Sequence, residues 1–264
     1  MTAYRFCIVF CIFSILFAGP LSSFGQEPEQ PSSTIKPWGL KQATPPPPLP
    51  LPKDRSQMHD APPIKKIGPG IFEVGGVRII KNENRVEFPA KVNMSKGLLE
   101  YSIVGDMGKL HESLLRTSIE PFSLQVALLM LGLEGTTNPL HEQGDPRKPE
   151  GDPVRIWVIM KKGDSTSKIR IEDWIVLKDS TGKSRPMPHT DFIFTGSIVH
   201  EGVFMAQVEK SIAALFHDPS AMIDNPLPEG GSDELWFVNQ ESVLPVGTEV
   251  IVSIEAKKKM GRKQ

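Results

Sequence analysis

The chain has 264 residues, with 30 Lys and Arg against 31 Asp and Glu, so its formal charge is −1. A balance so close to neutral gives no basic surface for a phosphate backbone and argues against nucleic-acid binding. The two cysteines, Cys7 and Cys11, both lie in the first apolar run, which leaves the rest of the chain without thiols for disulfides, cysteine–zinc sites or iron–sulfur clusters.

Residues 1–25 read as a secretory signal: Arg5 supplies a positive start, Phe6 to Ala18 an apolar run, and Ser23 and Gly25 small residues before a cut at Gln26. The expected product is exported, periplasmic or extracellular, has no membrane span after cleavage, and has a charge of −2 once Arg5 leaves the −1 total. Residues 26–63 read as a linker. Its run PPPPLPLP at 45–52 fixes φ and removes donors, favouring an extended, semi-rigid spacer.

A single folded domain is expected over 64–257, followed by a basic tail at 258–264. Ile71–Val74 and Val77–Ile80 flank Gly75-Gly76, a two-residue hairpin signal. Val86, Phe88, Ala90 and Val92 alternate with polar residues and Pro89, which predicts a half-buried strand with an edge or bulge at the proline. Leu99, Tyr101 and Ile103 form a second alternating run, expected to pair antiparallel with the first. Ser113 to Thr117 reads as a short strand leading to Pro121, a good first helical residue. From Leu124 to Leu133 only Gln125 and Gly132 break the apolar run, which predicts a helix over about 120–133 buried on all sides, with Leu128 and Leu129 both in the core. The polar stretch Glu134–Pro153 is a long loop, functional or disordered. Strands are expected at 154–161, around 169–177, at 191–195 and 202–205, at 235–238 and at 249–255, with 211–216 strand or helix. The expected class is therefore α+β: a mainly antiparallel sheet packed around one short buried helix.

FPAKVNMSKGLLEY at 88–101, GKLHESLLRT at 108–117, LLMLGLEG at 128–135, DFIFTGS at 191–197 and LFHDPSAMIDNPLP at 215–228 together resemble the YdjY-domain family of exported bacterial proteins. The resemblance implies an α+β domain of unknown biochemical role. Ferredoxin-like labels given to some members do not fit a chain without cysteine thiolates after residue 25.

The polar residues that could carry chemistry are His111, Glu112, Ser113, His189, Asp191, His200, His217 and Asp218. His111 is a candidate base or ligand with Glu112 beside it, or else part of a hydrogen-bonded turn. On a regular strand His111 and Glu112 point apart while His111 and Ser113 share a face, and His189 and Asp191 share one on an extended segment. Asp218-Pro219 and Asp224-Asn225-Pro226 are turn signals in which the carboxylate bonds its own backbone. His, His and carboxylate could make a zinc site, although no HExxH spacing supports one. There is no GxSxG or P-loop, and Glu73 stands where the third glycine of a dinucleotide fingerprint would follow Gly68 and Gly70. No cofactor is expected. Three readings stand open, in this order: a non-enzymatic exported domain binding an unknown protein or small molecule, a metal-dependent hydrolase, and a structural envelope component.

Overall fold

The computed structural model describes residues 62–257, except 164 and 180 and the side chain of Lys162. The expected signal, almost all of the linker and the basic tail lie outside the described residues. In chain order the strands are β1 (Ile64–Gly68), β2 (Ile71–Val74), β3 (Val77–Ile80), β4 (Arg85–Val92), β5 (Tyr101–Gly105) and β6 (Ser113–Thr117). Helix α1 (Pro121–Met130) follows, then β7 (Asp152–Lys162), β8 (Ser165–Arg170), β9 (Ile175–Lys178), β10 (Ser184–Pro186) and β11 (Phe192–Phe194). The rest are β12 (Val199–His200), β13 (Val203–Phe204), α2 (Met205–Glu209), β14 (Ser211–Ala214), β15 (Ile223–Asp224), β16 (Trp236–Val238) and β17 (Glu249–Ala256).

Eight of these strands close on themselves in the order β4-β17-β7-β11-β15-β14-β5-β6, with β6 pairing back to β4 through Lys91↔Arg116 and Val92↔Leu115. The period-2 pattern selects the lining. Val86, Phe88, Ala90 and Val92 of β4, Val250, Val252 and Ile254 of β17, and Val154, Ile156 and Val158 of β7 are all buried. An eight-stranded barrel has an interior that side chains can fill. Here Val, Ile and Phe fill it as one continuous core that also takes in Trp174 and Trp236.

This closed barrel overturns the expected α+β architecture. The domain is mostly β, with two α-helices among the described residues, and neither is its centre. Helix α1 packs outside the barrel against β2, β3 and α2. Its Leu124, Ala127 and Leu128 are buried, but Leu129 is 46 % exposed. The apolar run misled because it joins a helix to a separate turn. The helix ends at Met130, Gly132 takes φ +88°, and Leu133 returns to the core from outside the helix.

The expected antiparallel pairing of β4 with β5 is also corrected. β4 pairs β6, and β5 runs parallel to β6 through Tyr101↔Ser113, Ile103↔Leu115 and Gly105↔Thr117. Parallel neighbours usually need a crossover of a dozen residues. Strands of five residues let the short link 106–112 run back along β5 instead.

Other local signals translate directly. Gly75 and Gly76 take φ +53° and +84°, as a primed hairpin turn requires, and a Cβ on Gly75 would stand 2.1 Å from the Ser123 hydroxyl at the start of α1. Pro89 lies on the stretch of β4 between its β3 partners (85–87) and its β6 partners (91–92). That edge has no ladder partner, so the missing N–H leaves no orphan donor, and the Pro89 carbonyl accepts the Thr117 hydroxyl at 2.6 Å. The ambiguous 211–216 segment is strand β14.

Candidate functional site

Residues 110–112 form a 3-10 turn rather than the start of a strand. His111 sits on it with its side chain 77 % exposed and Nε2 3.3 Å from Glu112 Oε2. Ser113 is buried as the first residue of β6 and donates its hydroxyl to the Lys109 carbonyl at 2.5 Å, fixing the turn. His111 and Ser113 therefore do not share a face, because the turn breaks the strand alternation.

Glu112 turns inward to a polar cluster most of whose members had no sequence signal. Glu100, just before β5, stands beside it, with Lys109 Nζ 3.6 Å from Glu100 Oε2 and 3.8 Å from Glu112 Oε1. Burial first, and then the charge of Glu112, raises the Glu100 carboxyl to about 7, with Lys109 opposing. Gln143, from the long loop, lies 3.3 Å from both Glu100 Oε2 and the Tyr101 hydroxyl. Tyr101 donates to Asp218 Oδ2 at 2.7 Å, and burial together with that carboxylate pushes its phenol far above the ordinary range, so it acts as a neutral donor. Asp218 Oδ1 accepts the Ser220 N–H at 2.8 Å. Behind it, the wholly buried Asp224 accepts the N–H groups of Asp218 and Asn225 at 3.1 and 2.7 Å, and burial raises its carboxyl well above the carboxylate range. Burial also raises Glu209, which accepts the Ser220 hydroxyl at 3.2 Å. Glu112 and Asp218 are thus brought to one cluster, tied by Glu100, Tyr101 and Gln143.

The remaining candidates are elsewhere. His217 is buried, with Nδ1 2.6 Å from the Asp145 carbonyl and Nε2 2.9 Å from the Asn225 carbonyl. Its N–H donates to the Gly230 carbonyl at 2.7 Å, and its own carbonyl accepts from Gly144 at 2.8 Å. A Cβ on Gly230 would come within 2.2 Å of the ring, so only glycine lets that backbone lie against it. Both ring nitrogens are committed to backbone, and His217 joins the 134–151 loop to the 225–231 segment. That loop is ordered by Asp145, whose carboxyl is held well below its usual range by the Arg147 side chain and by the N–H groups of His141 and Arg147.

His189 Nε2 meets Asp173 Oδ1 at 2.7 Å, whereas Asp191 binds Arg155 at 2.8 Å and Lys257 at 2.6 Å. Glu172 separates them by accepting the Thr190 N–H at 2.9 Å while paired, fully buried, with Arg170. His200 is exposed on the β12–β13 pair. Among the described residues no group of three His, Cys, Asp or Glu is placed to hold a metal ion, and no helix is long and apolar enough to cross a membrane.

The second built feature is a trough on the outer barrel wall at the Pro89 gap. Its larger lobe is an open groove of about 540 Å³ over a floor of Pro89, Ile159 and Ile251, with Lys91, Arg116 and Lys161 around it. A smaller lobe of about 300 Å³ shares Pro89, Ile159, Lys161 and Ile251 and extends toward Arg78 and Gly76. Lys91 pairs with Glu249 at 3.2 Å and Arg116 with Asp106 at 3.0 Å.

The YdjY domain model matches residues 77–255. The chain belongs to the YdjY domain family. The matched span takes in α1, the polar cluster, the larger lobe of the trough and the barrel strands up to residue 255 of β17, and leaves β1, β2 and the Glu73–Gly76 edge of the smaller lobe outside. Neither a curated protein nor a solved structure matches this YdjY chain.

Proposed function

We propose that this YdjY protein is an exported, non-enzymatic binding domain, tethered by its proline-rich segment, that takes its ligand in the trough at the Pro89 gap. One observation carries the reading. The barrel interior is filled by its own apolar core, while the outer wall holds a concavity of about 540 Å³, within the usual range for ligand sites. Its apolar floor and charged rim are what a binding site needs: surface to bury and groups to orient what is bound.

Export is tested by N-terminal sequencing of the secreted product, expected to begin near Gln26. Binding is tested by a thermal-shift panel of metabolites, lipids and short peptides against the full chain after signal removal and its Ile251→Glu variant. A ligand at about 100 times its Kd stabilises a protein by about 2.7 kcal/mol, which such an assay resolves. The reading expects hits that vanish in the variant. Hits that all persist in it, or a panel without hits, would refute it.

A further inference from the structure

We infer that the trough takes an amphiphilic carboxylate, a small molecule with one anionic head and an apolar body, and that Lys161 anchors the head. The inference rests on the trough being the binding face and goes on to name the ligand class.

The floor comes from outward positions of three neighbouring strands. Pro89 on β4 faces Ile251 on β17, which in turn faces Ile159 on β7. An outward row on a barrel wall is ordinarily polar, because alternation gives the apolar residues to the interior. Here three consecutive positions across the wall are apolar, and both isoleucines are only half-buried. That strip suits a hydrocarbon chain lying across the strands. All three residues of the strip line both lobes, so the apolar floor runs from the β6 side to the hairpin side.

The charge balance of the larger lobe selects the head. Three cations and two acids line it. Glu249 is engaged by Lys91 and Asp106 by Arg116, so two of the three cations are neutralised where they stand. In the smaller lobe Glu87 is engaged by Arg85, and Glu73 stands opposite Arg78 in the β2–β3 register. Among the described residues Lys161 is then left as the surplus charge, and it lines both lobes where the apolar strip runs. A single anionic group beside an apolar chain matches one unpaired ammonium beside an apolar floor, and a charge-assisted hydrogen bond from Nζ to a carboxylate is stronger than one to a neutral hydroxyl.

The test uses isothermal titration of the full chain after signal removal with decanoate below its micellar concentration, beside decanol and decyltrimethylammonium. Decanoate should bind at least about tenfold more tightly than decanol, a step of about 1.4 kcal/mol, and decyltrimethylammonium most weakly. Lys161→Gln, an exposed substitution that leaves folding intact, should remove the preference for decanoate over decanol and keep decanol binding. Ile251→Glu should abolish decanoate binding, with its unfolding midpoint measured in parallel to establish that it folds. Decanol binding as tightly as decanoate, a preference unchanged in Lys161→Gln, or decanoate binding retained in Ile251→Glu as adventitious adsorption would each overturn the inference. If panel hits vanish in Ile251→Glu but are acidic peptides or neutral metabolites, the trough stands as the site and the amphiphile assignment fails alone.

Discussion

Replacing Glu100 by Gln isolates the cost of the buried carboxylate pair. Burial and Glu112 hold the Glu100 carboxyl at about 7 against its ordinary 4.5, so in the folded chain it keeps a proton that the unfolded chain has released. Between these two values the native state binds more protons than the unfolded state, and stability therefore falls as pH rises. The full effect is present below about 4.5, and the loss is complete above about 7. A shift of this size corresponds to ~3 kcal/mol at about 1.36 kcal/mol per unit. Glu100 and Glu112 each keep 16 % of their side-chain surface exposed, and the solvent that reaches them screens the pair and reduces the expectation to about 1–2 kcal/mol. Glu100→Gln keeps the shape and the contact with Gln143 but cannot ionise. Urea unfolding of both proteins from pH 4 to 8 should give equal stability near pH 4 and a variant more stable by about 1–2 kcal/mol at pH 8. A wild-type chain that gains stability relative to the variant between pH 5 and 8 would refute the reasoning, because it would mean that Lys109 rather than Glu112 governs Glu100.

Leu128→Ala, at a fully buried position, should cost ~2–5 kcal/mol, and Leu129→Ala, at a half-exposed one, under ~1 kcal/mol, in guanidinium unfolding. Equal losses would mean that the outer face of α1 is covered. His217→Ala removes the ring that bridges the buried Asp145 and Asn225 carbonyls, costing a hydrogen bond and leaving a cavity, and should cost ~2–4 kcal/mol, with hydrogen exchange rising at Gly144 and Leu227; protection unchanged at both would remove His217 as the tie between those segments. Gly75→Ala meets both a left-handed φ and the Ser123 hydroxyl and should lower the thermal midpoint by several degrees, a ΔΔG of ~1–3 kcal/mol. Adding Ser123→Gly should recover part of that loss, and no recovery would rule out the steric contact.

Local features of the fold were legible where one residue type has one physical use. The alternation in β4, β7 and β17 marked their buried faces, Gly75-Gly76 marked the hairpin, and Pro89 marked an unpaired edge. Barrel closure was not legible, because it depends on which strands are neighbours. β6 and β14 are buried on both faces, so their sequences carry little alternation to reveal a partner, and the alternation leading into β5 marks a strand without saying which strand it pairs. The candidate residues divided on similar grounds. Glu112 and Asp218 sat in polar-rich segments and reached the cluster. Glu100 and Tyr101 looked like one polar and one apolar position of an ordinary strand, and nothing local announces that Gln143, 42 residues from Tyr101, reaches it. Asp224 was legible as a turn former, but its complete burial follows from β15 being inserted between β11 and β14.

Strand β17 is the last among the described residues, yet it lies between β4, the barrel's first strand, and β7. Its register with β4 joins residues 249–255 to residues 91–85, more than 150 positions apart in sequence. Until residue 256 has left the machinery that makes or moves the chain, two strands that flank this slot have bare edges and the core has an open side. The domain therefore cannot acquire its structure piece by piece from the N-terminus. Folding awaits β17 and, with contacts this distant, falls in the slow, millisecond-to-second class of β topologies. A protein stopped even a dozen residues short of residue 256 would present unpaired strands rather than a smaller folded domain.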